Sequence, residues 1–175
     1  MWKFLIVKLI AKSLFYVHHD LRLWKKKLLR RLSPCLWKAT VVQEPLSWRL
    51  AEFIGIECKQ IPKIATGFGG GIGRTGSICG ALAGAIMAIG LKYGRNYLKE
   101  TGKYEMCMRK SLEFYREFEK EHGSVLCRDL TGCDLTTTEG RRKFLEQRIR
   151  EEKCVKYVRF SMKFLMKLEG IRSKI

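Results

Sequence analysis

Seven cysteines, Cys35, Cys58, Cys79, Cys107, Cys127, Cys133 and Cys154, are the residues of this chain best suited to chemistry. A thiolate is both a nucleophile and a soft metal ligand, and any position that stabilises its negative charge makes it more reactive. Three of these thiols fall where helices are expected to begin. Ser77 is a candidate N-cap, which places Cys79 in the first turn of the helix that follows. Ser124 is another, placing Cys127 in the first turn of "VLCRDL", and Cys154 opens the last helical segment. Free amides and the positive end of the helix dipole favour an anion at such positions. These thiols are therefore expected to ionise below the free value of about 8.5. If the three helices start at one place, they deliver three sulfurs to a shared site.

The other candidates carry less. Cys133 follows Cys127 across a glycine-containing turn and is a candidate additional metal ligand. Cys107, in the middle of a helical stretch beside Met108, and Cys58 are expected only to pack, as buried free cysteines commonly do. No C-x-x-C pair occurs, so neither a dithiol motif nor a zinc ribbon is present. His18 and His19 lie in a basic stretch, and His122 ends a helix where its positive charge would suit the dipole.

Around Cys79 the chain reads "GFGGGIGRTGSICGALAG" from 67 to 84. Glycine is costly to order, so this concentration calls for a reason. The glycines ahead of the cysteine, Gly69, Gly70, Gly71 and Gly73, allow a sharp turn that brings bare amides toward the helix start. With Arg74 and Gly80 they form a favourable lining for an anionic sulfur or a cluster. Residues 71–76, "GIGRTG", match the dinucleotide pattern G-x-G-x-x-G literally. The context is wrong for that use: "PKIATGFGG" is a poor strand, and Asn96 stands where the ribose-binding acid belongs.

The elements that must position these residues are helical. From Ser77 the run "SICGALAGAIMAIGLKYGR" has small residues Gly80, Ala81, Gly84, Ala85 and Ala88 on one face, suited to close helix packing. The segment "KYEMCMRKSLEFYREFEKEHG" is an amphipathic helix with an expected apolar stripe of Tyr104, Met108, Leu112, Tyr115 and Phe118, stopped by Gly123. Thr136 and Glu139 have capping-box spacing for the polar helix after them. A last helix is expected from Cys154 to about Leu168, burying Val155, Val158, Met162 and Leu165. A short helix is also expected in "EPLSWRLAEFIGIE". No period-two alternation lasts long enough for a strand. The expected fold is all-α, a small helical bundle with a glycine-rich turn before a central small-residue helix.

The net charge of +18 is unevenly placed: residues 1–40 carry ten Lys/Arg against Asp20 alone, a net of +9. Residues 1–32 read as an amphipathic basic helix suited to an anionic membrane surface, and nucleic acid is the weaker partner because no binding signature accompanies the charge. Lysines interrupt the apolar start, so neither an export signal nor a spanning helix is expected. The odd and modest cysteine count suits a cytoplasmic protein with reduced thiols better than a disulfide scaffold. The chain divides into a basic segment, 1–46, and a cysteine-bearing helical domain, 47–175.

The stretches "IATGFGGGIGRTGSICGALAGAIMAIGLKYGR", "HGSVLCRDLTGCDLTTTEGRRKF" and "CVKYVRFSMKFL" together resemble the redox-active C_GCAxxG_C_C family. Cys79-Gly80-Ala81 with Gly84 fits the central signature, and Cys127 and Cys154 fit the two later cysteines. The resemblance implies a small helical protein with redox activity and partners among oxidoreductase or transporter systems. The family's first cysteine has no counterpart at the matching distance, which falls near Val42; Cys35 is the nearest thiol upstream. Residues 1–46 resemble nothing in the family.

Two chemistries fit the three cysteines. In one, Cys79 attacks a disulfide or passes electrons and a second cysteine resolves it. In the other, Cys79, Cys127 and Cys154 bind zinc or an iron–sulfur cluster, with Cys133 or Cys35 as a fourth ligand. A reading from a different class is a non-catalytic interaction module, in which the basic arm docks to lipid or a partner and the cysteines only pack.

Overall fold

The computed structural model describes residues 59–168. The basic helix expected over 1–32, the short helix in 44–57, the boundary at 46/47, Cys35, Cys58, His18 and His19 lie outside the described residues. Six α-helices form the described region: α1 Ile61–Ala65, α2 Gly80–Tyr93, α3 Thr101–His122, α4 Cys127–Thr131, α5 Thr138–Glu146 and α6 Val155–Leu168. No strand occurs among the described residues, and the fold is all-α. No helix among the described residues is long and apolar enough to cross a membrane.

The central element is α2. Its sequence GALAGAIMAIGLKY is apolar on nearly every side, and a helix of that kind belongs inside a protein. Gly80, Ala81, Gly84, Ala85 and Ala88 are all buried, as the small-residue spacing predicts. The helix packs on one side against α3 and on another against α6. Ser161 of α6, fully buried, donates to the carbonyl of Ala81 at 3.2 Å and to that of Tyr157 at 2.9 Å.

The core where these helices meet is aromatic. Phe114 and Phe118 of α3 are fully buried, with Leu82 and Ile89 of α2 and Met162 of α6. Phe114 lies 4.8 Å from Phe164 between ring centroids and meets Phe118 edge-on at 6.0 Å. Each buried phenylalanine contributes about 1.5–3 kcal/mol through area alone. The expected stripe of α3 is therefore mostly not the buried one. Phe118 is buried, but Tyr104, Met108 and Leu112 are exposed. The face is decided by Phe114, whose ring can fill the space against α6 that a stripe set by Met108 and Leu112 would leave open. Gly123 ends α3 in the left-handed conformation, as expected.

Helix starts also differ from their sequence signals. Cys79, not Ser77, is the N-cap of α2. Ser77 and Ile78 are extended, because Ile78 pairs as an isolated antiparallel bridge with Leu126. Leu126 caps α4, and the Ser124 hydroxyl accepts from the Leu126 amide at 3.0 Å while donating to Asp129 at 2.8 Å. Thr137 rather than Thr136 caps α5, accepting from the Gly140 amide at 2.9 Å; Thr136 is spent on Asp134. Cys154 does not open a helix. It closes a π-helical turn, Arg150–Cys154, that runs directly into α6, so its amide is not a free helix end. In α6 Val158, Met162 and Leu165 are buried as expected, and Val155 is only half-buried.

Candidate functional site

The glycine tract makes a left-handed turn. Gly70, Gly71, Ile72, Gly73 and Arg74 have φ of 64°, 74°, 59°, 57° and 69°, five consecutive residues of positive φ. Long-reach backbone bonds close it: the Gly73 amide donates to Gly67 at 2.9 Å, Arg74 to Gly69 at 2.9 Å and Ser77 to Gly71 at 3.0 Å. L-residues pay about 1–2 kcal/mol each in this region, which glycine largely avoids. The preceding element is helix α1 rather than a strand, so the "GIGRTG" match has none of the context of a dinucleotide site.

This turn seats two of the cysteines. A side chain on Gly71 would place its Cβ 2.8 Å from the Cβ of Cys127 and 2.6 Å from the Ser77 nitrogen, so only glycine admits Cys127 there. The Cys127 amide donates to Ser77 at 2.6 Å, and the Cys79 amide to Val125 at 2.8 Å. Cys79 and Cys127 thus flank the Ile78–Leu126 bridge diagonally and point to the same side of it, because neighbouring residues of an extended pair alternate faces.

Cys154, the last residue of the π-helical turn before α6, completes the group. Cys79, Cys127 and Cys154 all line one cavity of about 740 Å³, together with Gly69, Gly70, Gly73, Arg74 and Gly80 of the glycine tract. Gly71 is buried beneath it and serves close approach rather than lining. Cys133 is not on this surface. It is fully buried in a small cluster with Cys127, Leu135 and Ile149, and its sulfur faces the Thr131 carbonyl at 3.7 Å. Cys107 also lies elsewhere, on α3. No disulfide links Cys79, Cys107, Cys127, Cys133 and Cys154.

The expected lowering of the three thiol pKa values is reversed. Burial pushes Cys79 up from 9.0, although the amides of Ala81 and Leu82 at the helix start pull the other way without closing a capping hydrogen bond. Burial and then the charge of Cys79 push Cys127 up to about 12. Burial and then the charges of Cys79 and Cys127 push Cys154 up to about 12, against the pull of Arg150. The helix-start effect is real at Cys79, but removal from water is larger. Burial favours the neutral thiol at all three positions. A charge on Cys79 opposes ionisation of both Cys127 and Cys154, and a charge on Cys127 opposes that of Cys154.

The metal reading finds no preformed ligand group: among the described residues no three Cys, His, Asp or Glu side chains are grouped as a metal site needs. Cys133 is not among the residues that line the cavity and its sulfur donates to the Thr131 carbonyl, and Cys35 lies outside the described residues. His122 is not the charged helix end expected either. Its ring lies edge-on to Phe118 at 4.6 Å, Tyr157 at 4.8 Å and Phe160 at 4.8 Å, and burial lowers its pKa.

Sequence reasoning missed Arg141, Arg150 and Tyr157, which also line the cavity. Two of them carried a signal: Arg150 and Tyr157 stand four residues before and three after Cys154, on its side of a helical stretch. Tyr157 donates to the Leu130 carbonyl at 3.0 Å and ties α6 to α4.

Comparison with known proteins follows the same residues. The profile of the family described as "Putative redox-active protein (C_GCAxxG_C_C)" matches residues 45–168. An uncharacterized protein of Archaeoglobus fulgidus is 38% identical over 106 residues, covering 55% of this chain and 70% of that relative. No solved structure matches. The chain belongs to the C_GCAxxG_C_C family.

Proposed function

We propose that this member of the C_GCAxxG_C_C family is a thiol redox protein in which Cys79, Cys127 and Cys154 exchange two electrons with a disulfide. The observation that carries this reading is the convergence of three reduced thiols on one cavity, where a charge on Cys79 opposes the ionisation of Cys127 and Cys154.

That opposition orders the chemistry. One thiol loses its proton first, and Cys79 is best placed because two amides at the start of α2 act on its sulfur. Its thiolate attacks one sulfur of the substrate disulfide. A new sulfur–sulfur bond forms, the substrate bond breaks, and the leaving thiolate takes up a proton. Once Cys79 is held in the mixed disulfide its negative charge is gone, and with it one obstacle to ionising Cys127 or Cys154. The second cysteine then ionises and displaces the remaining substrate thiolate. Two protein thiols have become one disulfide, and one substrate disulfide has become two thiols.

The test is a single turnover. Reduced protein is mixed with a limiting disulfide, unreacted thiols are alkylated, and the new bridge is mapped by mass spectrometry. The bridge is expected to contain Cys79 with Cys127 or Cys154, and Cys79→Ser is expected to abolish it. A bridge that uses Cys107, or full two-electron capacity in Cys79→Ser, would sink the proposal.

A further inference from the structure

The cavity that holds the three thiols has a marked charge character. Its lining includes Arg74, Arg141 and Arg150 and not one aspartate or glutamate. Arg141 is fixed in place by the carbonyls of Leu135 and Thr136, at 3.0 and 2.8 Å. Arg74 differs. It sits at φ 69°, a conformation that costs a side-chain-bearing residue about 1–2 kcal/mol. Strain of this kind persists where the surrounding structure imposes it, and it gathers at binding sites. The bonds of the left-handed turn impose it here, and they present an arginine to the cavity at a position where glycine would be easier.

We propose, resting on the thiol redox reading above, that the substrate is a small organic disulfide bearing carboxylates, held by Arg74 and Arg150 with its sulfurs toward Cys79, Cys127 and Cys154. The cavity is the right size for a small molecule, at about 740 Å³. Its remaining walls are mostly apolar, with Leu135, Phe144 and Leu145 among them, which suits the carbon frame of an organic anion better than a bare inorganic one. A carboxylate meets an arginine in two parallel hydrogen bonds, so the same contact that attracts the substrate also orients it. In the exchange the carboxylates stay unchanged: the substrate's sulfur–sulfur bond is reduced to two thiols and two cavity thiols are oxidised to a disulfide.

The experiment compares two disulfide reagents on reduced full-length protein. One is the dianionic 5,5′-dithiobis(2-nitrobenzoate) and the other the neutral 4,4′-dithiodipyridine. Reaction at Cys79, Cys127 and Cys154, counted as reagent adducts together with the protein disulfides that form by resolving them, is quantified by mass spectrometry against adducts at Cys107, which lies on α3 outside the cavity. The positive charge of the whole chain favours the anionic reagent at every thiol, so Cys107 serves as the internal reference. The cavity-to-Cys107 ratio is expected to be about tenfold or more higher with the anionic reagent, within the range that a charged cleft gives. Arg74→Gly, which removes the charge and relieves the strained φ, is expected to bring the two ratios together, and Arg74→Lys to keep most of the preference. Equal ratios in the native protein, or a preference unchanged in Arg74→Gly, overturn the inference and leave the redox reading standing. Cavity thiols that react with neither reagent overturn both.

Discussion

Cys127 donates its amide hydrogen to the carbonyl of Ser77 across 2.6 Å, and this bond joins two segments fifty residues apart in sequence into one thiol-bearing corner. Its companion, from Cys79 to Val125 at 2.8 Å, makes the arrangement reciprocal. The corner depends on Gly71 being glycine, because any larger residue would occupy the place of the Cys127 side chain.

Gly71→Ala is accordingly expected to be far more damaging than Gly73→Ala. At Gly71 the φ of 74° and the contacts with Ser77 and Cys127 act together. The expected loss is about 3 kcal/mol or more, combining left-handed strain with overpacking. At Gly73 the φ is 57° but nothing stands within 4 Å of the added carbon, so the loss is about 1 kcal/mol. Denaturant melts of the two variants check this, and equal losses would refute the packing role of Gly71.

The buried thiols make the fold sensitive to alkali. Cys127 and Cys154 have pKa values raised from 9.0 to about 12 in the folded protein. Between those values the unfolded chain releases thiol protons that the folded chain retains, so rising pH favours unfolding. Their contribution to stability is whole below pH 9.0 and is lost progressively toward about 12. Melting temperature should therefore fall with pH over this window more steeply in the native protein than in a Cys127→Ala, Cys154→Ala variant. Coincident slopes would show that these thiols ionise freely in the folded state.

Metal content separates the two chemistries that the cysteines first suggested. Because no three candidate ligands are grouped among the described residues, protein purified anaerobically with its thiols reduced is expected to be colourless. Elemental analysis should give well below one iron or zinc per chain. Stoichiometric metal that survives dialysis and is lost in Cys79→Ser would displace the redox mechanism.

The helical class and most helix locations were legible because they rest on local facts: apolar spacing, capping residues and stopping glycines. Cys79 and Cys127 were legible for the same reason, each lying next to a break in helical pattern, whereas the start read at Cys154 is a π-helical turn continuous with α6. What local pattern misjudged was whatever depends on a partner. The face of α3 follows the ring of Phe114 against Phe164, which no stripe on α3 alone encodes. The start of α2 moved from Ser77 to Cys79 because Leu126 holds Ile78 extended. Of the cavity's arginines, Arg74 was legible beside the glycines and Arg150 carried a signal four residues before Cys154, but Arg141 reaches the cavity from α5, which holds none of the three cysteines.

By itself, the order of residues determined that the described region is helical, that a glycine-rich turn precedes a thiol, and that Cys79 and Cys127 stand at helix starts. It also predicted the wrong charge state for those cysteines, since a helix start favours a thiolate when nothing else acts. Only the tertiary structure decided that contest. Packing α2, α4 and α6 around one cavity removed the sulfurs from water and set their charges against one another, and burial outweighs the pull of a few amides.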